Sequence, residues 1–321
     1  MIAQCLVSFG SNLGQRESLL ADAARIVAAS PLVHGMRASR LYETPPIGGP
    51  GGQEPFLNAV VAFDTKAPAR DILKLLQETE QRLGRQRHER WDSRSIDLDV
   101  VLHGALVGGG TGLIVPHPRY TARQFVLQPA RDVAAHYRDP RFGWTLEQLG
   151  QHLSEGLPSM ALVGGVESMR GILCQRLEAE HGIQTFAARP LSRSMPVLGN
   201  APAPRSHGAN VAQSPQAIVL DRKAPWVSAF VPPLPETALE SDASFSAQSI
   251  VPRLIARIQS TTAETCWPAP HQMWPSGGRW PEYRLEVDDM DWAVRELASA
   301  LESMRCPVIA VTDDASWAEQ K

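Results

Sequence analysis

Arg85-Gln86-Arg87-His88-Glu89-Arg90-Trp91-Asp92-Ser93-Arg94-Ser95-Ile96-Asp97-Leu98-Asp99-Val100-Val101-Leu102 is the stretch from which the rest of the chain is read. Ile96 to Leu102 predicts a buried strand. Successive residues of a strand point to opposite faces, so Asp97 and Asp99 share one face while Leu98 and Val100 enter a core. Two neighbouring carboxylates repel each other, and divalent cations between them offset that cost. Magnesium takes a few carboxylates together with phosphate oxygens and water, which fits such a pair. Arg85, Arg87, Arg90 and Arg94 come just before, and guanidinium forks suit phosphate oxygens. Trp91 among them suits stacking on a base or ring. The plainer reading is a solvated charged turn whose acids pair with those arginines. That reading would win for a lone Asp-x-Asp. With the basic segment attached, the inventory is that of a MgATP site without a phosphate-binding loop.

Working outward, this strand is the last of six elements. Cys5 to Phe9 is a strand-like run ending in Gly10-Ser11-Asn12-Leu13-Gly14. Gln15 to Ala29 carries Leu19, Leu20, Ala23, Ile26 and Val27 at helical spacing, and Pro31 closes it. Met36 to Tyr42 predicts a short strand. Thr44 to Pro55 holds too many prolines and glycines for regular structure and reads as a mobile loop. Phe56 to Phe63 predicts a strand, and Ala69 to Leu83 a helix that Gly84 ends. Strand, helix, strand, strand, helix, strand is the order of a ferredoxin-like α+β sandwich, an antiparallel sheet with helices.

The whole chain has 321 residues, 43% hydrophobic and 20% charged, so two domains are expected. Thirty-one basic residues against 34 acidic leave a net charge of −3, and no polybasic run argues for nucleic acid. No apolar stretch approaches the roughly 18–20 residues that span a bilayer. The first residues lack a basic n-region and a long apolar h-region, so a cytoplasmic protein is expected. Cys5, Cys174, Cys266 and Cys306 lie far apart, which argues against a disulfide framework or a zinc site.

Six motifs in order give the first 150 or so residues a resemblance to the 6-hydroxymethyl-7,8-dihydropterin pyrophosphokinase family. They are Gly10 to Gly14; Glu43-Thr44-Pro45-Pro46; Phe56-Leu57-Asn58-Ala59-Val60; Glu80 before Gly84-Arg85; the Arg90 to Asp99 run; and Val115-Pro116-His117-Pro118-Arg119 with Arg123-Gln124-Phe125. The resemblance implies an enzyme that transfers pyrophosphate from ATP to the hydroxymethyl group of the pterin, releasing AMP, in folate biosynthesis. It implies that Asp97 and Asp99 hold two Mg²⁺ ions. It implies that Glu80, Arg85, Arg87, Arg90, Trp91, Arg94, His117 and Arg123 form the ATP site, with Arg85 and Arg94 in the chemistry. Thr44, Pro45, Ile47, Phe56, Asn58, Trp91 and Phe125 would form the pterin pocket. Segments 44–55 and 84–93 would be lids that close over ATP. One position departs from the family. Asp92 stands where glycine or alanine is usual; its carboxylate would weaken ATP binding, add a metal ligand or point to solvent, which bears on rate rather than on class.

From about residue 156 the character changes. Fourteen of the 26 prolines fall between Pro190 and Pro281, and 189–215 reads as a linker. Two islands look folded: Met160 to about His181, and a helix from Met290 to Met304 followed by a strand from Pro307 to Thr312. Leu162 to Gly171 has the strand–turn–helix context of a phosphate-binding loop. Met169, Arg170 and Gly171 replace its Gly-Lys-Ser/Thr core, so this α/β element is a degenerate nucleoside-kinase-like loop at most, and an ordinary turn is favoured. Trp226, Trp267, Trp274, Trp280 and Trp292 would cap a core or mark an interaction surface. The chain is therefore divided into a catalytic unit, 1–155, and an accessory unit, 156–321. The alternative from another class is a catalytically weak pterin- and ATP-binding scaffold whose C-terminal half binds a partner. A third reading, a second nucleoside-kinase-like activity, is opposed by the missing lysine.

Overall fold

The structure, a computed structural model, describes residues 2–48, 52–85, 95–110, 112–186, 224–232, 234, 251–259 and 280–319. The N-terminal unit runs β1 (Ala3–Ser11), α1 (Arg16–Ala28), β2 (His34–Ala38), β3 (Tyr42–Thr44), β4 (Phe56–Thr65), α2 (Ala69–Arg82) and β5 (Asp97–His103). The small hairpin β6 (Gly108–Gly110) and β7 (Leu113–Val115) leads to α3 (Gln124–Ala134) and α4 (Leu146–Ser154). The main sheet is antiparallel, with β5, β1, β4 and β3 side by side and β2 also on β4.

Both faces of this sheet are buried, which is why Phe56 to Phe63 is almost continuously apolar. Cys5, Val7, Phe9, Leu57, Ala59, Val61, Leu98 and Val100 pack with Leu20, Val27, Ile72 and Leu76 of α1 and α2. Leu6, Val60, Ala62 and Val101 point the other way, against Val126, Leu127 and Ala130 of α3. Asp97, Asp99 and Asn58 lie on this second face by alternation.

The C-terminal unit runs β8 (Ser159–Val163), α5 (Glu167–His181), β9 (Gln184–Phe186), β10 (Trp226–Ser228), β11 (Leu254–Gln259), β12 (Glu282–Glu286), α6 (Met290–Ser303) and β13 (Ile309–Ala310). Its sheet is parallel in the order β12-β11-β8-β10-β9. α5 ends on Gly182 in the left-handed region, at φ 63°. The Gly164-Gly165 turn between β8 and α5 is plugged by its own chain. Arg170 donates to Gly164 O at 2.8 Å, Gly165 O at 3.1 Å and Ala229 O at 2.8 Å. A guanidinium fixed on those carbonyls leaves a strand–turn–helix element, and nothing here supports a nucleotide loop. The linker at 189–215, Trp267 and Trp274 lie outside the described residues.

The two units share one core and one sheet. Leu6 and Val60 belong to the same apolar cluster as Met160, Leu173, Leu254 and Leu297. Arg284 N donates to Pro118 O at 2.9 Å, and Thr121 Oγ1 donates to Glu282 O at 2.8 Å. β13 pairs antiparallel with β3, Ile309 opposite Glu43 and Ala310 opposite Tyr42. Trp317 is 1% exposed inside the cluster formed by α1, α2 and the N-terminal sheet, and its indole N–H donates to Ser39 O at 2.8 Å. Cys5, Cys174 and Cys306 are free and buried, and burial pushes each thiol up to about 12. Among the described residues no helix is long and apolar enough to cross a membrane.

Candidate active site

Register places the polar residues of the second sheet face on one line. Gly10 of β1 stands opposite Asn58 of β4 on one side and Asp97 of β5 on the other, while Ser8 stands opposite Asp99. A Cβ at Gly10 would meet Asn58 Oδ1 at 3.5 Å, so the bare backbone leaves the floor between amide and carboxylate open. Above that floor lies a cavity of about 320 Å³, lined by Ser8, Gly10, Thr44, Pro45, Ile47, Gln53, Phe56, Asn58, Asp97 and Asp99. Arg119, Ala122, Arg123, Phe125 and Val126 form a second side. Tyr283, Trp292, Glu296, Ser299, Ala300 and Ser303 of the C-terminal unit form a third.

One end of the cavity is charged. Asp97 Oδ1 pairs with Arg85 Nη2 at 2.9 Å, and Arg85 Nη1 pairs with Glu80. Glu80 Oε1 also accepts Leu98 N at 2.8 Å, tying the end of α2 to the start of β5. Arg123 Nη1 lies 3.9 Å and His117 Nε2 3.7 Å from Asp99 Oδ2. His117 Nδ1 accepts Arg119 N at 3.1 Å, which assigns the ring proton to Nε2, on the Asp99 side. Burial first, then the Arg123 and Arg119 charges, holds His117 well below the ordinary imidazole range, so it is neutral near pH 7. The loop bearing these groups is anchored from below, where Tyr120 OH donates to Asp139 Oδ2 at 2.6 Å and Arg141 pairs with the same carboxylate at 2.6 Å.

Asp97 and Asp99 retain side-chain exposures of 24% and 38%, and among the described residues no third His, Cys, Asp or Glu joins them as a ligand group. Two carboxylates on an open face suit a hard cation that completes its shell with water and phosphate oxygens, so this donor set fits magnesium. At the uncharged end, Asn58 Nδ2 donates to Thr44 Oγ1 at 2.8 Å, which fixes the amide orientation. Phe125 stands beside it, with the Arg123 guanidinium 5.5 Å from its ring centre.

Of the residues expected from sequence, Thr44, Pro45, Ile47, Phe56, Asn58, Asp97, Asp99, Arg123 and Phe125 meet in this cavity. Arg85, Glu80 and His117 stand behind the two acids. Arg87, Arg90, Trp91, Asp92 and Arg94 lie outside the described residues. Sequence reading missed Ser8 and the whole third wall. Glu296, Ser299 and Ser303 look like any amphipathic helix, so no local signal marks them, and Trp292 stood out only as one of the tryptophans expected to cap a core or mark an interaction surface. Arg119 ends the Val115-Pro116-His117-Pro118-Arg119 motif, where the sequence alone suggests no role for it. Its Nε lies 3.1 Å from Glu296 Oε1, its Nη2 3.5 Å from Glu286 Oε2, and its guanidinium 4.7 Å from the Trp292 ring centre.

Burial raises Glu80 from its ordinary 4.5 to about 7, although the Leu98 N–H and the Arg85 charge pull it down. Between those values the folded protein keeps a proton that the unfolded chain has lost, so stability falls as pH rises from 4.5 to 7. Glu80→Gln removes that loss. The melting temperature of the variant minus that of the wild type should therefore climb across this interval; a difference that stays level refutes the assignment.

A family model described as 7,8-dihydro-6-hydroxymethylpterin-pyrophosphokinase matches residues 6–135. A 2-amino-4-hydroxy-6-hydroxymethyldihydropteridine pyrophosphokinase of Bacillus subtilis (strain 168) is 38% identical over 127 residues, covering 40% of this chain and 75% of that one. A protein of the same name from Pseudomonas aeruginosa (strain PAO1) is 35% identical over 171 residues, covering 53% of this chain and 99% of that one. The solved Plasmodium falciparum HPPK-DHPS with SDX-DHP aligns at 11% identity and a TM-score of 0.38, over 58% of this chain and 56% of that one.

Proposed function

This chain belongs to the 7,8-dihydro-6-hydroxymethylpterin-pyrophosphokinase family, and on that premise we propose how its residues do the work. The enzyme transfers pyrophosphate from ATP to 6-hydroxymethyl-7,8-dihydropterin in folate biosynthesis. We read the antiparallel sheet and its helices as a ferredoxin-like sandwich that presents the site on one face. The observation that carries the assignment of roles is the single cavity joining an acid pair to an amide- and phenyl-lined slot.

The pterin lies in the slot. Asn58, held by Thr44, reads the polar edge of the ring, with Pro45 and Ile47 beside it and Phe56 and Phe125 on its faces. The triphosphate lies over the charged end. Arg123, and Arg85 braced by Glu80, face its oxygens there. Arg87, Arg90, Trp91 and Arg94 are assigned to the same co-substrate on the family resemblance. Neutral His117 offers a hydrogen from Nε2 without adding charge. Asp97 and Asp99 would hold Mg²⁺, as two ions, supplying neutralisation of phosphate charge. The hydroxymethyl oxygen attacks the β-phosphorus, the bond from that phosphorus to the α–β bridging oxygen breaks, AMP leaves, and the hydroxyl proton passes to solvent. Such a transfer depends on positioning and charge neutralisation, so the chain needs no nucleophile of its own.

Chromatography of nucleotides after incubation with MgATP and the pterin tests this. AMP that forms only when pterin is present is the expected product, and ADP in its place refutes the reaction class. Asn58→Ala should raise the pterin KM about tenfold, the scale of one or two lost hydrogen bonds, and leave the ATP KM unchanged. Equal shifts in both would remove Asn58 from the pterin slot.

A further inference from the structure

The family match ends at residue 135, yet the third wall of the cavity comes from residues 283–303. α6 contributes Trp292, Glu296, Ser299, Ala300 and Ser303 to it. Trp292, Glu296, Ser299 and Ser303 follow one another at intervals of three and four residues, with Ala300 four after Glu296, so they form a single stripe along the helix. The opposite stripe, with Ala293, Val294, Leu297 and Leu301, is sealed into the shared core. Asp289 caps the helix through Trp292 N at 3.0 Å. A helix clamped between core and cavity presents a fixed surface.

That surface is graded. At its start Glu296 holds Arg119 and accepts from Tyr283 OH, so its carboxylate is already engaged. Further along, Ser299, Ala300 and Ser303 are small and uncharged, and Ala122, Phe125 and Val126 line the same cavity. Phe125 packs against the same core. Ser303 is 4% exposed, and its Oγ has no hydrogen-bond partner among the described residues. A buried hydroxyl costs free energy unless something bonds it, and Ser303 is one of the residues lining the cavity.

We propose that α6 of the C-terminal unit is a working wall of the acceptor pocket, with Ser299 and Ser303 facing the polar edge of the neutral pterin and Ala300 setting the room for its ring. An uncharged stripe suits a neutral heterocycle and not a triphosphate. The proposal rests on the pterin assignment made above. It makes the C-terminal unit part of the enzyme's specificity and not a passive appendage.

The test uses the full chain and separates the two substrates. Ala300→Phe should raise the pterin KM about tenfold or more and move the ATP KM less than about twofold, since a phenyl ring would occupy the space the acceptor needs. Ser303→Ala should raise the pterin KM about threefold, with kcat nearly constant, as loss of one binding contact does. A purely structural helix predicts a lower melting temperature with both KM values unmoved, and that result overturns the proposal. So does a rise of both together. Should Ala300→Phe not fold, Ser299→Val makes a smaller intrusion on the same stripe and carries the same expectation. A wild-type protein that makes no AMP sinks the pyrophosphokinase reading itself. An active wild type with indifferent α6 variants sinks only this inference.

Discussion

The double variant Asp97→Asn, Asp99→Asn should lower pterin-dependent AMP formation about 1,000-fold, or about 4 kcal/mol of barrier, with the fold intact. Asparagine keeps the size of each side chain, and Leu98 and Val100 still anchor the strand from its other face. Arg85 keeps Glu80 as a partner when Asp97 loses its charge. Two anionic oxygens facing the cavity are lost, and with them the donors that suit a hard cation. The loss should appear in kcat, because charge on the phosphates develops and moves during transfer. Removing divalent metal from the wild type with a chelator should produce a loss of the same order. AMP formation within tenfold of the wild type, from a protein that melts normally, would place the metal elsewhere.

The second large effect concerns a residue far from the chemistry. Trp317→Ala should destabilise the protein by about 3–5 kcal/mol, the range for removing a fully buried tryptophan. For a chain of this size that lowers the melting temperature by roughly 4–7 °C. The indole is 1% exposed among side chains of α1, α2 and the N-terminal sheet, and its N–H satisfies Ser39 O. Deleting it opens a cavity and orphans a carbonyl together. Calorimetry checks the value; a change below about 1 kcal/mol would mean that the site is not packed as described.

Much of the N-terminal unit was legible in the sequence because its signals are local. Apolar alternation around Asp97 and Asp99, the run at Phe56 to Phe63, and the helical spacing after Ala69 each mark an element without outside help. Their order then allows few sheets. The strand before Gly164 and the helix to His181 were legible for the same reason. β13 was not, in its pairing. Two exposed residues have no periodicity, and Ile309 meets Glu43 across more than 260 positions of sequence. Trp317 carries no sign of which core it enters. The division at residue 155 followed composition, whereas the contacts cross it in both directions. The α6 side of the cavity escaped for a related reason. An amphipathic helix shows that it has an inner face, and here both faces are inner, one toward the core and one toward the cavity.

The pairing of β13 with β3, and the seat of Trp317, also bear on how the protein is made. Translation runs at about 5–20 residues per second, and domains generally fold as they emerge. β5 is synthesised some 200 residues ahead of Trp317, so the N-terminal sheet spends roughly 10–40 seconds on the ribosome without its edge strand or the last side chain of its core. During that interval β3 presents an open edge, a surface prone to pairing with other chains. The nascent chain therefore passes through a stage in which its N-terminal sheet is built and still unfinished, and chaperone demand should peak there.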